Sequence, residues 1–232
     1  YFSKNKDLKI YTTSRNELEQ NQSIFYKNAS LIPGIFLERN DAILKLLGSI
    51  KPDVVINAAG ITKHLPNGNK PLSVLPVNTL APHFISQFCS QLDCKFIHLS
   101  TDCVFSGLKG NYLEEDSSDA NDLYGRSKFL GEPITDTSLT IRISTIGHEL
   151  NTSYGLLNWF LNQSGSCKGY LKNIFSGFTV EELSNIFCKY IFNNLDLKGL
   201  YHVSSTPISK YDLLKIISSI YNHKILIESD IS

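Results

Sequence analysis

The chain has 232 residues, enough for one α/β domain with a large core or for a domain plus a small lobe. Hydrophobic residues make up 42% and charged residues 19%, an ordinary soluble globular balance, and no apolar run approaches membrane-spanning length. Lys plus Arg and Asp plus Glu both number 22, and a formal net charge of zero gives no electrostatic argument for nucleic acid or an anionic membrane.

Strand and helix patterns alternate along the chain. Leu8 to Ser14 (LKIYTTS) alternates apolar and polar residues and reads as a strand. Asp41 to Ile50 has apolar residues at helical spacing, and Pro52 blocks its continuation ahead of a short buried strand, Val54 to Ile56. Leu72 to Leu92 reads as a long helix, with Pro76 and Pro82 positioned to kink or interrupt it. Lys95 to Thr101 (KFIHLST) is the next buried strand, followed by a polar loop to Asp122. A helix then starts, with Asp119, Asn121 and Asp122 as N-cap candidates, and Pro133 lies beyond its end. SLTIRIS is a further strand. Past Ile143 the rhythm weakens: YGLLNWFLNQ and TVEELSNIFCKYIFNN read as helices, GLYHVSS as a strand and SKYDLLKIISSIY as an amphipathic helix.

A βαβα rhythm implies a parallel sheet with helices on both faces, and ligands bind such sheets beyond the carboxyl ends of the strands. Three segments fall there: NAAG (Asn57 to Gly60), STDCVF (Ser100 to Phe105) and STIG (Ser144 to Gly147). The five cysteines include no C-x-x-C pair and read as free thiols in a reducing cytoplasm. The six histidines show no metal-like clustering, so no metal site is expected. The sequence begins YFSKNKD without any methionine and ends inside a strand-like run, so both ends are expected to be cut.

Tyr124 and Lys128, four apart on a predicted helix, share one face. An ammonium beside a phenol favours the tyrosinate and lowers the phenol's pKa, which suits proton transfer to or from a carbonyl oxygen. The alternative is a solvated helix face. Thr101, at the end of a buried strand, can donate a hydrogen bond to a substrate carbonyl or simply cap a turn. Ala58, Ala59 and Gly60 leave room for a flat ligand against the backbone. Asn78, inside a helix, reads either as a satisfied buried amide or as part of a relay to Lys128. Arg15 follows the first strand, where an arginine suits a ribose 2′-phosphate, so NADP is favoured over NAD.

With these residues placed, the chain resembles the extended short-chain dehydrogenase/reductases, and within them the dTDP-4-dehydrorhamnose reductase-like nucleotide-sugar reductases. The resemblance is carried by S-T-D-x-V-F-x-G at Ser100 to Gly107 and by Y-G-x-[ST]-K-x-x-G-E at Tyr124 to Glu132. It implies an α/β, doubly wound parallel-sheet Rossmann fold, N-terminally truncated so that the first strand and its glycine-rich loop are missing. Residues 1–142 would form the NADP-binding domain. Residues 143–232 would be mainly a small substrate-binding lobe, with a segment near 179–205 returning to the sheet.

The resemblance also implies roles. Tyr124 is the proton donor, Lys128 tunes it and binds the nicotinamide ribose, and Thr101 holds the substrate carbonyl. Ala58, Ala59, Gly60 and Arg15 contact NADP(H), with NAD(H) as the alternative, and Val104, Phe105 and Ser144 line the nicotinamide and sugar. The implied reaction is reduction of a 4-keto-deoxysugar nucleotide for surface polysaccharide, without a metal, in a cytoplasmic homodimer. The segment after NAAG, ITKHLPNGNKPLSVLPVN, lacks the acidic pattern associated with rhamnose-pathway reductases, which leaves the sugar open. An epimerase or dehydratase of the same family, or a non-catalytic regulatory subunit, are the competing readings.

Overall fold

The computed structural model describes residues 8–17, 28–150 and 152–231. The expectation of cut ends concerns residues 1–7 and 232, which lie outside the described residues. In chain order the elements are β1 (Ile10–Thr13), β2 (Ala29–Ile32), α1 (Asn40–Ile50), β3 (Val54–Asn57), α2 (Pro71–Leu75) and α3 (Ala81–Gln91). They continue as β4 (Lys95–Thr101), α4 (Leu123–Leu130), β5 (Ser138–Ile143), β6 (Thr145–Ile146), α5 (Leu156–Leu161) and β7 (Ser166–Tyr170). The rest are β8 (Ile174–Phe175), β9 (Phe178–Thr179), α6 (Val180–Ile186), β10 (Gly199–Val203), β11 (Ile208–Ser209), α7 (Lys210–Tyr221) and β12 (Leu226–Asp230).

The chain forms two compact units, one of residues 1–142 with 185–202, the other of residues 143–184 with 203–232. The first is built on a central parallel sheet in the order β10-β5-β4-β3, and β1 pairs with β2 in a separate parallel pair. α1 ends where the sequence says it should. Lys51 adopts a left-handed φ of 49° and its N–H closes on the Leu47 carbonyl at 2.8 Å, after which Pro52 prevents another turn. The apolar sides of α1 and α3, including Ile43, Leu47, Ile85 and Cys89, pack on Cys94, just before β4, and on Phe96 of β4.

Strand burial differs from the sequence expectation in one respect. β3 is not fully buried, and Ile56 is 37% exposed. Among the described residues β3 ends the sheet order, so it is covered by a strand on one side only. β5, flanked on both sides, is buried at five of its six positions.

The predicted long helix from Leu72 to Leu92 is continuous in path but changes pitch. α2 runs into a π-helical turn, Pro76–Leu80, which runs into α3. Neither Pro76 nor Pro82 can donate a backbone N–H. The Ala81 N–H closes on the Pro76 carbonyl, five residues back. In a regular helix the Asn78 carbonyl would take the N–H of residue 82, and the proline there has none to give.

The second unit holds a small core in which Leu157 and Phe160 of α5 meet Leu214 and Ile217 of α7. Its strand pairings are short: β6 with β9 and β7 with β12 are parallel, and β8 with β11 is antiparallel. Sequence pattern misses the two-residue strands β6, β8, β9 and β11 because they carry no alternation long enough to register.

Candidate active site

Several residues in and around YGRSKFLGE have a local physical reason. Asp122 caps α4 by accepting the Gly125 N–H at 2.7 Å, so the third N-cap candidate is the one used. Asp119 instead holds Ser106. A β-carbon on Gly125 would stand 2.2 Å from the Cys103 carbonyl, so glycine lets α4 close on the STDCVF turn. Ser127 is fully buried, donating to the Tyr124 carbonyl at 2.9 Å and accepting from Asn78 at 3.1 Å. The Lys128 amine donates to the Leu99 carbonyl of β4 at 2.7 Å. Glu132 accepts from Ser100 at 2.5 Å and from Arg142 Nε and Nη2 at 2.9 and 2.8 Å.

The STDCVF segment follows β4 directly. Thr101 Oγ1 accepts the Cys103 N–H at 3.1 Å, capping a short 3₁₀ turn (Asp102–Val104), and lies 3.1 Å from Asp102 Oδ1. The hydroxyl also lies near enough to the Tyr124 phenol to hold its pKa down. Thr101 therefore caps the turn beside the tyrosine. The Val104 side chain is fully buried. Phe105 is held in a stack, with the Tyr112 ring centroid 4.2 Å away, the Arg142 guanidinium 4.9 Å from its ring centre and the His202 ring against its edge.

Burial moves the two titrating groups away from their ordinary values in opposite directions. The Tyr124 phenol is pushed up to about 12, chiefly by desolvation, with Cys103 and Asp102 adding to the rise and the Thr101 hydrogen bond opposing it. Desolvation pulls Lys128 down to about 8, against a smaller raising effect of Glu132. The expected lowering of the phenol by the lysine is therefore not what governs this structure; loss of water contact outweighs it.

Asn57, at the end of β3, begins the NAAG loop. Its Oδ1 accepts the Ala59 N–H at 3.2 Å, and Ala58, Ala59 and Gly60 are exposed. Asn78 is a satisfied buried amide: Oδ1 takes the Ile61 N–H at 2.7 Å, and Nδ2 donates to the Ile61 carbonyl at 2.9 Å and to Ser127. It fixes the end of the NAAG loop to α4 without reaching Lys128. Arg15 is exposed just beyond β1. Ser144 belongs to the second unit, where its carbonyl accepts the Phe178 N–H at 3.0 Å.

Two groups escape the sequence pattern. His98 lies wholly buried between Asn57 and Lys128, its two ring nitrogens 3.2 and 3.3 Å from their side chains. The Glu132–Arg142 ion pair, with side chains 6% and 3% exposed, extends to His202 at 3.2 Å from Arg142 Nη1. The final glutamate of the motif is the available signal, since a buried carboxylate must find a cation. Among the described residues no cluster of three His, Cys, Asp or Glu is placed to hold a metal, and no helix is long and apolar enough to cross a membrane.

Residues 16–165 match the family model described as the RmlD substrate binding domain. The chain belongs to that family. It is 27% identical over 187 residues to a dTDP-4-dehydrorhamnose reductase of Aggregatibacter actinomycetemcomitans, covering 76% of this chain and 64% of that protein. It is 28% identical over 172 residues to the spore coat polysaccharide biosynthesis protein SpsK of Bacillus subtilis, covering 71% of this chain and 59% of the relative. The matches thus span somewhat under two thirds of these curated relatives. Among solved structures, the dTDP-4-dehydrorhamnose reductase from Bacillus anthracis in complex with NADP superimposes with a TM-score of 0.77 at 19% identity, over 97% of this chain and 85% of that one. A hypothetical dTDP-4-dehydrorhamnose reductase from Sulfolobus tokodaii gives 0.76 at 24% identity, over 91% and 81%. These likenesses establish the RmlD-like, Rossmann-type α/β fold.

Proposed function

We propose that the protein is an NADP(H)-dependent reductase of a 4-keto-deoxysugar nucleotide, acting in the synthesis of surface polysaccharide precursors. One observation carries the reading: Tyr124 stands one turn from the buried Lys128 on α4, and that helix closes on the turn holding Thr101 at the carboxyl end of β4. The dTDP-4-dehydrorhamnose reductases among its relatives support the substrate class.

The dinucleotide supplies the hydride. Its flat rings fit the exposed strip of Ala58, Ala59 and Gly60, where no side chain projects beyond a methyl group. A phenol at about 12 keeps its proton at neutral pH, so Tyr124 acts as an acid and delivers that proton to the substrate's carbonyl oxygen. Thr101, at the end of β4, orients the same oxygen. Lys128 in its ammonium form stabilises the tyrosinate that results and takes the ribose hydroxyls. Arg15 meets the 2′-phosphate, or the bare ribose when NAD(H) is used. Phe105 borders the sugar. Residues 1–142 hold the dinucleotide and the lobe within 143–232 grips the nucleotide-sugar, in a cytoplasmic homodimer.

The test is NADPH oxidation by the full-length protein against a panel of 4-keto-sugar nucleotides. Substrate-dependent oxidation with release of NADP is expected. Tightly retained NAD⁺ with no net oxidation would identify an epimerase or dehydratase instead, and no turnover with any substrate would favour a regulatory subunit.

A further inference from the structure

Between Asn57 and Lys128, the buried His98 ring meets a hydrogen-bond donor on each side. The parallel register of β3 and β4 sets Asn57 beside His98. The Ala59 N–H occupies Asn57 Oδ1 at 3.2 Å, which turns the amide's NH₂ toward His98 Nδ1, also at 3.2 Å. Nδ1 must then carry the lone pair, and the ring proton sits on Nε2. Nε2 faces Lys128 Nζ at 3.3 Å, while Nζ also donates to the Leu99 carbonyl at 2.7 Å. An Nε2–H can bond an amine but opposes an ammonium, which has no lone pair. His98 is fully buried and Lys128 and Asn57 nearly so, so no water relieves the mismatch at the ring.

We propose that His98 is a positioning residue whose tautomer decides which protonation state of Lys128 is satisfied, and that Asn57 couples that choice to the loop carrying Ala58, Ala59 and Gly60. With Lys128 as an amine, its lone pair accepts the Nε2–H and one of its own N–H bonds donates to the Leu99 carbonyl. When Lys128 takes up a proton from solvent, His98 stays neutral but moves its own proton from Nε2 to Nδ1. Asn57 must then turn its oxygen to that proton, which sets its NH₂ against the Ala59 N–H and breaks the loop's hydrogen bond. One proton enters in total, and its cost is felt at Ala59.

The titratable groups that act here are Glu132, two residues beyond the helix of Lys128, which acts on Lys128, and His83 of α3, which acts on His98. Burial, then Lys128, then His83 hold His98 well below the usual histidine range, so it remains neutral throughout. The inference rests on the reductase reading for its consequence in catalysis, though not for its geometry.

The test is nitrogen-15 NMR of histidine-labelled full-length protein, with the Ala59 amide followed in the same titration. His98 is expected to carry its proton on Nε2 at high pH and on Nδ1 at low pH. The Ala59 amide should shift with the same midpoint, near about 8. In His98→Gln the amide can offer its oxygen to the ammonium, so the Lys128 midpoint should rise by about one unit. The alkaline fall of the NADPH-dependent rate should rise with it, with KM for NADPH little changed. A single tautomer across the whole range, an Ala59 amide that does not titrate, or an unmoved Lys128 midpoint in His98→Gln would overturn the proposal. A tautomer switch in a protein with no turnover on any keto-sugar would overturn the reductase reading and leave this one standing.

Discussion

Gly131 presses against the backbone carbonyl of Asn78, where a β-carbon would come within 1.9 Å of the oxygen. Pro82, four residues on from Asn78, has no N–H to give that carbonyl the bond a regular helix would make. The glycine of the motif and the proline of the preceding helix thus form one seam between the π-helical turn and α4. Gly131→Ala is expected to destabilise the fold by about 2 kcal/mol through overpacking against backbone that cannot yield. Gly125→Ala should behave similarly against the Cys103 carbonyl. Urea unfolding measures both, and a stabilised alanine variant at either position would refute the packing account.

The Glu132–Arg142 pair should show the asymmetry of buried ion pairs. Removing one partner, as in Glu132→Gln, leaves a buried guanidinium short of its anion and is expected to cost about 3 kcal/mol or more. Pairing that change with Arg142→Met should recover a substantial part. A double-mutant cycle reads the coupling, and additive effects would show that the pair contributes little beyond its two separate side chains.

Asn78→Ala removes three hydrogen bonds and strands both backbone groups of Ile61. A loss of about 2 kcal/mol is expected, with the Ile61 amide losing hydrogen-exchange protection more than amides of β5. Uniform loss of protection would mean that Asn78 supports the whole unit rather than the loop.

Stability should rise with pH across one window on account of Lys128. Its folded pKa of about 8 lies below the ordinary 10.5, so between these values the unfolded chain binds a proton that the folded chain does not. The contribution is absent at lower pH, where both forms are charged, and is fully present above the upper value. Lys128→Met should abolish a rise on the order of 3 kcal/mol. Unfolding midpoints measured across the window for both proteins provide the check, and parallel profiles would contradict the lysine's depressed pKa.

Much of this arrangement is legible in the amino-acid sequence. Helix periodicity, Pro52 and the Asp122 cap locate α1 and α4, and the motifs bring Thr101 and Tyr124 together. By pattern alone His98 is only a histidine in an apolar strand. Its partner Asn57 lies 41 residues away and meets it through strand register, which no local pattern encodes. The burial of Val104 is not legible either, because a motif does not say which of its residues turn inward along a 3₁₀ turn. Tyr124 and Lys128 share a helix as expected, but their charges depend on burial, which spacing alone does not reveal.

The central claim is that Tyr124 gives its proton to a substrate carbonyl. The most direct measurement compares NADPH oxidation by the wild-type protein and by Tyr124→Phe, with the most active 4-keto-sugar nucleotide. The predicted result is a fall in kcat of about 10²- to 10⁴-fold with KM for NADPH little altered, since the phenylalanine keeps the ring and loses only the acid. Wild-type turnover in Tyr124→Phe would contradict the account.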